Sequence, residues 1–365
     1  MKAVVLRDPS ARVRVEEVEL APPGRDEVLV EIAAAGVCHT DLHLVRGDWP
    51  HPLPVILGHE GSGRILEVGA AVEGLAVGDH VVLSWVAPCG VCRYCLAGRE
   101  ARCSTWGSTI AASGTLADGT SRMSIGGEQA FHYLGVSSFA ERAVLPASGV
   151  IKVRSDAPLE DIALVGCAVA TGVGAVLNTA AVEPGSTVAV IGCGGVGLSI
   201  IQGAVLAGAS RIIAVDVVGT KLDVARTLGA TDVVLAGRGD AAKLLLDLLV
   251  DGVDYAFDAI GHVSTTEAAI DMLGIGGAAV VVGLPATGSS AKFDPLALAE
   301  AERRILGCNY GSIRPHRDIP HLVDLVMEGR LRLDSLVSSR RSLEDAADAL
   351  DVLATGSSLR TLLIP

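Results

Sequence analysis

A glycine-rich turn between a strand and a helix constrains the fold of this chain more than any other feature. Residues 187–191 (TVAVI) form a short apolar run typical of a strand, and a helix-like run follows from residue 196 to about 207. The turn that joins them is Gly192-Cys193-Gly194-Gly195-Val196-Gly197. In the spacing G-x-G-x-x-G, Gly192 allows a sharp turn, Gly194 lets a pyrophosphate approach the backbone, and Gly197 lets the helix pack closely on the strand. The pattern predicts a dinucleotide-binding turn.

An acidic residue supports this interpretation and indicates which dinucleotide is bound. Residues 211–215 (RIIAV) predict the next strand, and Asp216 follows at its end. A carboxylate there accepts hydrogen bonds from both adenosine ribose hydroxyls and repels a 2′-phosphate. Lys221 is placed near the same ribose, with a solvated helix lysine as the alternative. The sequence therefore favours NAD over NADP.

Strands and helices alternate through this half of the chain. Further strands are predicted at 233–235, 253–257 and 278–282, and further helices at 220–228 and 241–249. Such alternation predicts an α/β fold with a parallel sheet covered on both faces.

The flanking regions have a different pattern. Residues 1–153 are β-rich and turn-dense, with strand-like runs such as 28–32 and 80–83, which predicts a barrel-like β domain. The tail from about residue 310 returns to mixed elements, with a helix at 343–353 and a strand at 359–363. A length of 365 residues is consistent with two domains.

Charge and hydropathy exclude several classes of function. The formal net charge of −13 argues against non-specific binding of nucleic acid or of an anionic membrane, because both require clustered cations. Residues 162–182 carry no charge but contain several Gly and Thr residues, and we interpret them as a buried helix with its entry loop. The apolar stretch at the N-terminus is too short for a signal peptide, so we expect a cytoplasmic protein.

Four cysteines lie within fifteen residues, at Cys89, Cys92, Cys95 and Cys103. Four thiolates at this spacing can close around one ion, and all-sulfur tetrahedral ligation is typical of structural zinc. An iron–sulfur centre is one alternative, and a nucleic-acid-binding zinc module, which would need basic neighbours, is another. Because Glu100 and an acidic chain accompany the nearby arginines, the sequence favours structural zinc.

Three further potential metal ligands are dispersed along the chain. Cys38 opens the segment CHTDLH, His59 lies between a glycine and a glutamate, and Cys167 falls in the uncharged segment. Spacing alone does not connect them, and each taken singly is also explained as a core residue.

The order of these motifs resembles that of the zinc-dependent medium-chain alcohol dehydrogenases along essentially the whole chain. The matching motifs are Cys38-His39-Thr40-Asp41, Gly58-His59-Glu60-Gly61, the four-cysteine lobe, Gly166-Cys167, the glycine-rich turn with Asp216, and Ser358-Leu359-Arg360-Thr361. The segment 118–122 (DGTSR) is most similar to the branch that contains the animal-type and formaldehyde enzymes.

The resemblance implies a domain plan. A GroES-like catalytic domain would span residues 1–168 with a structural-zinc lobe at 85–110, a Rossmann NAD-binding domain would span 169–309, and residues 310–365 would return to the catalytic domain. It also implies two zinc ions per chain, one catalytic and one structural.

The same resemblance implies a role for each residue of an active site. Cys38, His59 and Cys167 would bind the catalytic zinc and leave a fourth position open. Thr40 would take the alcohol proton, which passes by the coenzyme ribose to His43. The remaining roles fall to Asp41, which would orient His59, to Glu60 close behind the zinc, to His39 and Arg360 at the pyrophosphate, and to Val196 behind the nicotinamide.

The substrate pocket implied by the resemblance is apolar and aromatic, and it comprises Trp49, Trp85, Tyr133, Leu134, Leu284 and Asn309. We expect an NAD-dependent zinc alcohol dehydrogenase acting on a primary alcohol, aromatic or small aliphatic, and its aldehyde. A formaldehyde–thiol adduct is the alternative, although Gly107 stands where the glutathione-dependent enzymes carry an arginine, so a different thiol such as mycothiol stays open. A non-catalytic dinucleotide-binding protein is a third hypothesis. We expect a homodimer first and a tetramer second.

Overall fold

The computed structural model describes residues 1–9, 11–237, 249 and 251–365. The described residues divide into two compact units. The first contains Met1–Cys167 and Arg314–Pro365, and the second contains Ala168–Ile313. The predicted domain boundaries lie at residues 168 and 309, and the chain passes between the units after Cys167 and after Ile313.

The strands among the described residues are, in chain order, β1 (Lys2–Leu6), β2 (Arg14–Glu17), β3 (Glu19–Leu20), β4 (Glu27–Gly36), β5 (Val55–Ile56), β6 (Gly61–Val68), β7 (His80–Leu83), β8 (Met123–Ile125), β9 (Glu128–His132), β10 (Arg142–Pro146), β11 (Val150–Lys152), β12 (Thr187–Ile191), β13 (Arg211–Asp216), β14 (Asp232–Leu235), β15 (Val253–Asp258), β16 (Leu273–Val281), β17 (Arg304–Gly307), β18 (Val337–Ser342) and β19 (Arg360–Ile364). The α-helices are α1 (His39–Val45), α2 (Arg93–Leu96), α3 (Leu159–Ile162), α4 (Ala168–Gly174), α5 (Gly195–Ala207), α6 (Gly219–Thr227), α7 (Val263–Asp271), α8 (Pro295–Glu300), α9 (Pro315–Met327) and α10 (Ala346–Ala354). Short 3-10 or π turns cover Glu100–Arg102, Trp106–Ala111, Ala147–Gly149, Ala163–Gly166, Ala175–Ala180, Tyr310–Ser312, Asp334–Leu336 and Leu343–Asp345.

The first unit is built from two sheets, and the β-rich prediction for this region is confirmed. One sheet has the strand order β2-β1-β5-β9-β8-β3, and the other has the order β11-β7-β6-β4-β19-β18 with β10 paired to β4. In β4, Val28, Val30 and Ile32 alternate along one face and belong to the same buried cluster as Leu350 and Leu353 of α10. This period-two burial is what a strand with one face on the core requires.

The second unit contains the parallel sheet that the sequence predicted. Its order is β14-β13-β12-β15-β16-β17, and every pairing is parallel. Val188, Ala189 and Val190 in the central β12 are all fully buried, as strands covered on both faces should be. The predicted α/β fold class is confirmed. The helix predicted at 241–249 lies, apart from Leu249, outside the described residues.

Some elements differ from the sequence predictions. Helices α7, α8 and α9 were not predicted, and the predicted helix at 343–353 is a 3-10 turn followed by α10. In the uncharged segment, α4 is buried along its whole length. Among the described residues no single helix is both long and apolar enough to cross a bilayer, although the bent pair Leu159–Gly166 and Ala168–Ala180 meets that test by length and composition alone.

Candidate metal centres and dinucleotide turn

The pairing of two strands brings distant segments of the first unit together. β4 ends at Gly36 and the antiparallel β6 begins at Gly61. At this junction the Gly36 N–H donates to the Glu60 carbonyl oxygen at 3.0 Å. Cys38 follows the end of one strand and His59 precedes the start of the other, so the strand register sets them side by side.

The third segment approaches the same junction through a residue without a side chain. Gly166 packs so closely on β7 that a Cβ there would lie 2.5 Å from the Leu83 carbonyl oxygen. Cys167, the next residue, joins the other two ligands. Cys38, His59 and Cys167 are all buried and offer ligand atoms within 4.8 Å of one another.

The donor set of this cluster fits a zinc ion. Two thiols and one imidazole form the three-ligand site that leaves a fourth zinc position open for a substrate. The His59 Nε2 is buried and has no hydrogen-bond partner in the part of the chain that the structure describes. A buried polar atom without a partner is costly, and a metal ion would satisfy it. The cluster can therefore hold a metal that acts as a Lewis acid.

The Asp41 carboxylate, which is fully buried, organises the cluster. It accepts hydrogen bonds from the backbone N–H groups of Cys38 and Gly58, both at 3.1 Å, and its Oδ1 lies 3.2 Å from the His59 Nδ1. This contact leaves Nε2 as the ligand atom. Burial lowers the pKa of His59, but the charges and hydrogen bonds of Asp41 and Cys38 together outweigh it and raise that pKa to about 10.

The thiol of Cys38 is biased toward its metal-binding form. A hydrogen bond from Cys167 lowers the pKa of Cys38, burial opposes this, and the charge of Arg360 lowers it further. Since thiolates rather than thiols bind metals, the lowered pKa of Cys38 suits it to ligation.

Glu60 and Arg360 form an ion pair behind the cluster, with side chains 0% and 5% exposed. Arg360 also donates to the Val37 carbonyl oxygen at 2.8 Å. The resemblance implied a pyrophosphate contact for Arg360, and the structure adds an internal role that the sequence did not indicate. His39, the other residue implied at the pyrophosphate, is exposed at the first position of α1.

Helix α1 carries the residues implied in the proton path. Thr40 lies in its first turn and His43 in its last. The Tyr133 hydroxyl donates to the Thr40 carbonyl oxygen at 2.8 Å, and its ring meets the His59 ring edge-on at 5.8 Å between centroids. The His43 Nδ1 lies 2.7 Å from an oxygen of Asp48, a residue that sequence reasoning missed. The sequence signal for Asp48 was its place directly after a glycine that ends the helix.

The four-cysteine lobe closes locally, with its four sulfur atoms within 4.8 Å of one another. Its backbone N–H groups point at the sulfurs, from Cys92 to Cys89 at 3.3 Å and from Cys95 to Cys92 at 3.5 Å. The Cys95 N–H lowers the pKa of Cys92 to about 5. Four thiolates with no open position fit a structural zinc site.

The glycine-rich turn has the shape that a dinucleotide needs. Gly192 has φ +94°, and a Cβ at Gly197 would overlap the Gly192 carbonyl oxygen. A Cβ at Gly194, by contrast, would meet nothing within 4 Å. Gly194 leads into α5 without a side-chain cap, so the first N–H groups of the helix remain available to an anion. Gly195 and Val196 form the first turn of α5.

Asp216 is held at the end of β13 by the turn itself. It accepts hydrogen bonds from the Cys193 N–H at 2.7 Å and from the Val218 N–H at 2.9 Å. Its carboxylate is thereby fixed beside the glycine-rich turn. Lys221 lies in the first part of α6 and is buried.

The residues implied for the pocket are divided between the units. Trp49, Trp85, Tyr133 and Leu134 belong to the first unit, and Leu284 and Asn309 belong to the second. Trp85 packs edge-on against Trp106, with ring centroids 5.2 Å apart. Trp106 is a second residue that sequence reasoning missed, and it begins the π turn that follows the four-cysteine lobe.

Two family sequence patterns match this chain. Residues 24–155 match the pattern described as "Alcohol dehydrogenase GroES-like domain". Residues 195–328 match the pattern described as "Zinc-binding dehydrogenase".

Individual relatives match along nearly the whole chain. An S-(hydroxymethyl)glutathione dehydrogenase of Escherichia coli is 38% identical over 99% of both chains. The crystal structure of benzyl alcohol dehydrogenase from Acinetobacter calcoaceticus has a TM-score of 0.93 and 36% identity, covering 100% of this chain and 98% of that one. A zinc-binding dehydrogenase of Sinorhizobium meliloti bound to NADP has a TM-score of 0.81 and 29% identity, covering 100% of this chain and 99% of that one.

Proposed function

Because this chain belongs to the family of zinc-dependent medium-chain alcohol dehydrogenases, we propose that it oxidises a primary alcohol reversibly to the aldehyde with NAD. The observation that carries this proposal is the buried cluster of Cys38, His59 and Cys167, in which the His59 Nε2 has no hydrogen-bond partner among the described residues. We therefore place the proposed reaction at this cluster in the first unit.

Each residue of the cluster has one task in the proposed mechanism. A bound zinc ion supplies Lewis acidity that lowers the pKa of a hydroxyl group, and NAD supplies the hydride acceptor. Cys38, His59 and Cys167 hold the ion, and Asp41 keeps the His59 Nε2 turned toward it. The Thr40 hydroxyl accepts the substrate proton as it releases its own proton into the relay, and His43 accepts a proton at Nε2 at the far end of that relay.

The aromatic side chains of the first unit favour flat or small substrates. The Trp85 ring packs against the Trp106 ring, so the Trp85 side chain has little freedom to move away from a ligand. The similarity to a benzyl alcohol dehydrogenase supports an aromatic primary alcohol. We propose benzylic alcohols ahead of ethanol.

A thiol adduct of formaldehyde is the second candidate. The relative named S-(hydroxymethyl)glutathione dehydrogenase favours it. Gly107 opposes glutathione as the carrier, because it offers no cationic side chain to bind a glutathione carboxylate. An adduct with a different carrier thiol is the form of this function that the residues allow.

Initial rates of NADH formation distinguish these functions. Purified enzyme with NAD is given benzyl alcohol, ethanol, or formaldehyde with and without glutathione or mycothiol. We expect a fast rate with benzyl alcohol and a slower one with ethanol. A rate with formaldehyde only when a thiol is present would reassign the enzyme to adduct oxidation. NADH binding without turnover on any substrate would favour a non-catalytic dinucleotide-binding protein.

The preference for NAD is proposed from the position of Asp216. Its carboxylate lies beside the turn where the adenosine ribose is expected, and a 2′-phosphate would meet its negative charge. We expect Asp216→Ser to raise the ratio of kcat/KM for NADP to that for NAD by about 100-fold. The reason is that repulsion between the Asp216 carboxylate and the 2′-phosphate costs several kcal/mol. Initial rates with each dinucleotide measure this ratio.

Asp232→Ser is the control for Asp216→Ser, because it removes another carboxylate at one end of a strand in the same sheet. Asp232 in the neighbouring β14 is ion-paired with Arg211 and is not part of the turn. Asp232→Ser should leave the ratio unchanged. An Asp216→Ser enzyme with the wild-type ratio would contradict the assignment of Asp216.

A homodimer is proposed from the edge of the parallel sheet. β17 pairs only with β16 among the described residues, and its Ile305 is 37% exposed. An unpaired edge strand with an exposed apolar side chain can continue a sheet into a second copy. Sedimentation should give twice the chain mass of 37.3 kDa, and a monomer would refute this.

A further inference from the structure

The end of helix α1 folds a carboxylate back onto His43. Gly47 has φ +73°, and its N–H donates to the Leu44 carbonyl oxygen at 3.0 Å. The Asp48 N–H donates to the His43 carbonyl oxygen at 2.9 Å. These two bonds form the Schellman motif, which requires a left-handed residue where Gly47 stands. The motif fixes the Asp48 backbone beside the His43 backbone.

The side chains of Asp48 and Trp49 both contact the His43 imidazole. The Asp48 Oδ2 lies 2.7 Å from the His43 Nδ1, a distance typical of a charge-assisted hydrogen bond. An ionised carboxylate can only accept, so the hydrogen resides on Nδ1. The Trp49 indole stacks on the imidazole, with centroids 4.7 Å apart and planes 21° from parallel. The ring is held at its edge by Asp48 and on its face by Trp49.

We propose that Asp48 is a positioning residue that fixes His43 in the Nδ1–H tautomer, so that Nε2 is always the proton-accepting atom. Without an acceptor at Nδ1, neutral imidazole divides between two tautomers, and the Nε2–H form cannot take up a proton at Nε2. The His43 side chain is 23% exposed, so a proton received there can pass to water.

The alternative is that His43 and Asp48 form a surface ion pair that only stabilises the fold. Exposed pairs of this kind contribute about 0–1 kcal/mol and need no fixed tautomer. Three features set this pair apart, namely the helix-ending motif, the short contact and the stacked indole. Each restricts the position of the imidazole, whereas stability alone would be served by any orientation.

The tautomer is measured directly in the resting protein. In the 15N spectrum of histidine-labelled protein at alkaline pH, the signal that disappears in His43→Gln belongs to His43. We expect its Nδ1 to be protonated in the wild type, and Asp48→Ala to move the population toward Nε2–H. Asp48→Glu, which retains the carboxylate, should restore Nδ1–H. An unchanged tautomer in Asp48→Ala would overturn the proposal.

The kinetic consequence rests on the proposed function of this site. We expect Asp48→Ala to lower kcat for alcohol oxidation about tenfold, a part of the roughly 100-fold that a positioned proton acceptor contributes. KM for the alcohol should change less than about twofold, because the substrate does not contact Asp48, and Asp48→Glu should recover most of kcat. Asp156→Asn removes a carboxylate from an exposed ion pair with Arg154 and should leave kcat unchanged.

The NMR tautomer and kcat together separate the role of Asp48 from the proposed function of the enzyme. A shifted tautomer with unchanged kcat would overturn the positioning role of Asp48. A wild-type enzyme that oxidises no alcohol would refute the proposed function, while the NMR measurement would still decide whether Asp48 sets the tautomer.

Discussion

Replacement of His59 by alanine is expected to lower kcat for alcohol oxidation at least about 1,000-fold, because Lewis-acid stabilisation contributes several kcal/mol to the transition state. The imidazole is one of the three ligands that the described residues bring together in the cluster, and within those residues its Nε2 has no hydrogen-bond partner. The variant should fold, since the strands on either side of it pair through their backbones. Rates of NADH formation measure the loss.

Metal content provides the second readout for His59→Ala. The wild type should hold about two zinc ions per chain and the variant about one, because the four-cysteine lobe is untouched. His316→Ala is the control, as this exposed histidine on α9 belongs to neither cysteine-containing cluster and its Nε2 lies 3.0 Å from the Ser148 carbonyl oxygen. It should retain both ions and full activity. A His59→Ala enzyme that keeps most of its activity would refute the assignment of the cluster.

Replacement of Arg360 by methionine is expected to have the largest effect on stability. The guanidinium is the positive partner of Glu60, whose side chain is fully buried. Removal of one member of a buried pair leaves an uncompensated charge and costs about 3–5 kcal/mol. Equilibrium unfolding in urea should show the loss in the free energy of unfolding.

Two further variants test the cause of that loss. Arg340→Met breaks a pair with Asp161 whose side chains are 46% and 36% exposed, and it should cost less than about 1 kcal/mol. The double variant Glu60→Gln/Arg360→Met leaves no unpaired charge and should recover part of the stability. Equal losses in Arg360→Met and Arg340→Met would show that burial of the pair does not matter.

Local patterns were sufficient to predict most of the parallel sheet and the glycine-rich turn of the second unit, but not α7, α8 or β17. Burial of β12 on both faces leaves a continuous apolar run in the sequence, and Gly197 is required by its close contact with Gly192 inside the adjoining turn. The four-cysteine lobe was predictable for the same reason, since its sulfur atoms meet within one short segment.

Contacts between distant residues were not predictable from spacing. Cys38, His59 and Cys167 meet because of a strand register, and only the resemblance to a family connected them. Glu60 and Arg360 are 300 positions apart, and no local pattern links them. Asp48 is near His43 in sequence, but its role depends on the handedness of Gly47, which determines whether the chain turns back or continues.

The Asp41 carboxylate has a consequence for how the protein matures. It ties the segment around Cys38 to the segment around His59 through three hydrogen bonds, none of which requires a metal ion. These contacts hold the segments that carry two of the three ligands, Cys38 and His59, next to each other. We therefore expect the ion to enter after the ligand residues have folded, and other divalent ions to exchange into the site without refolding of the chain.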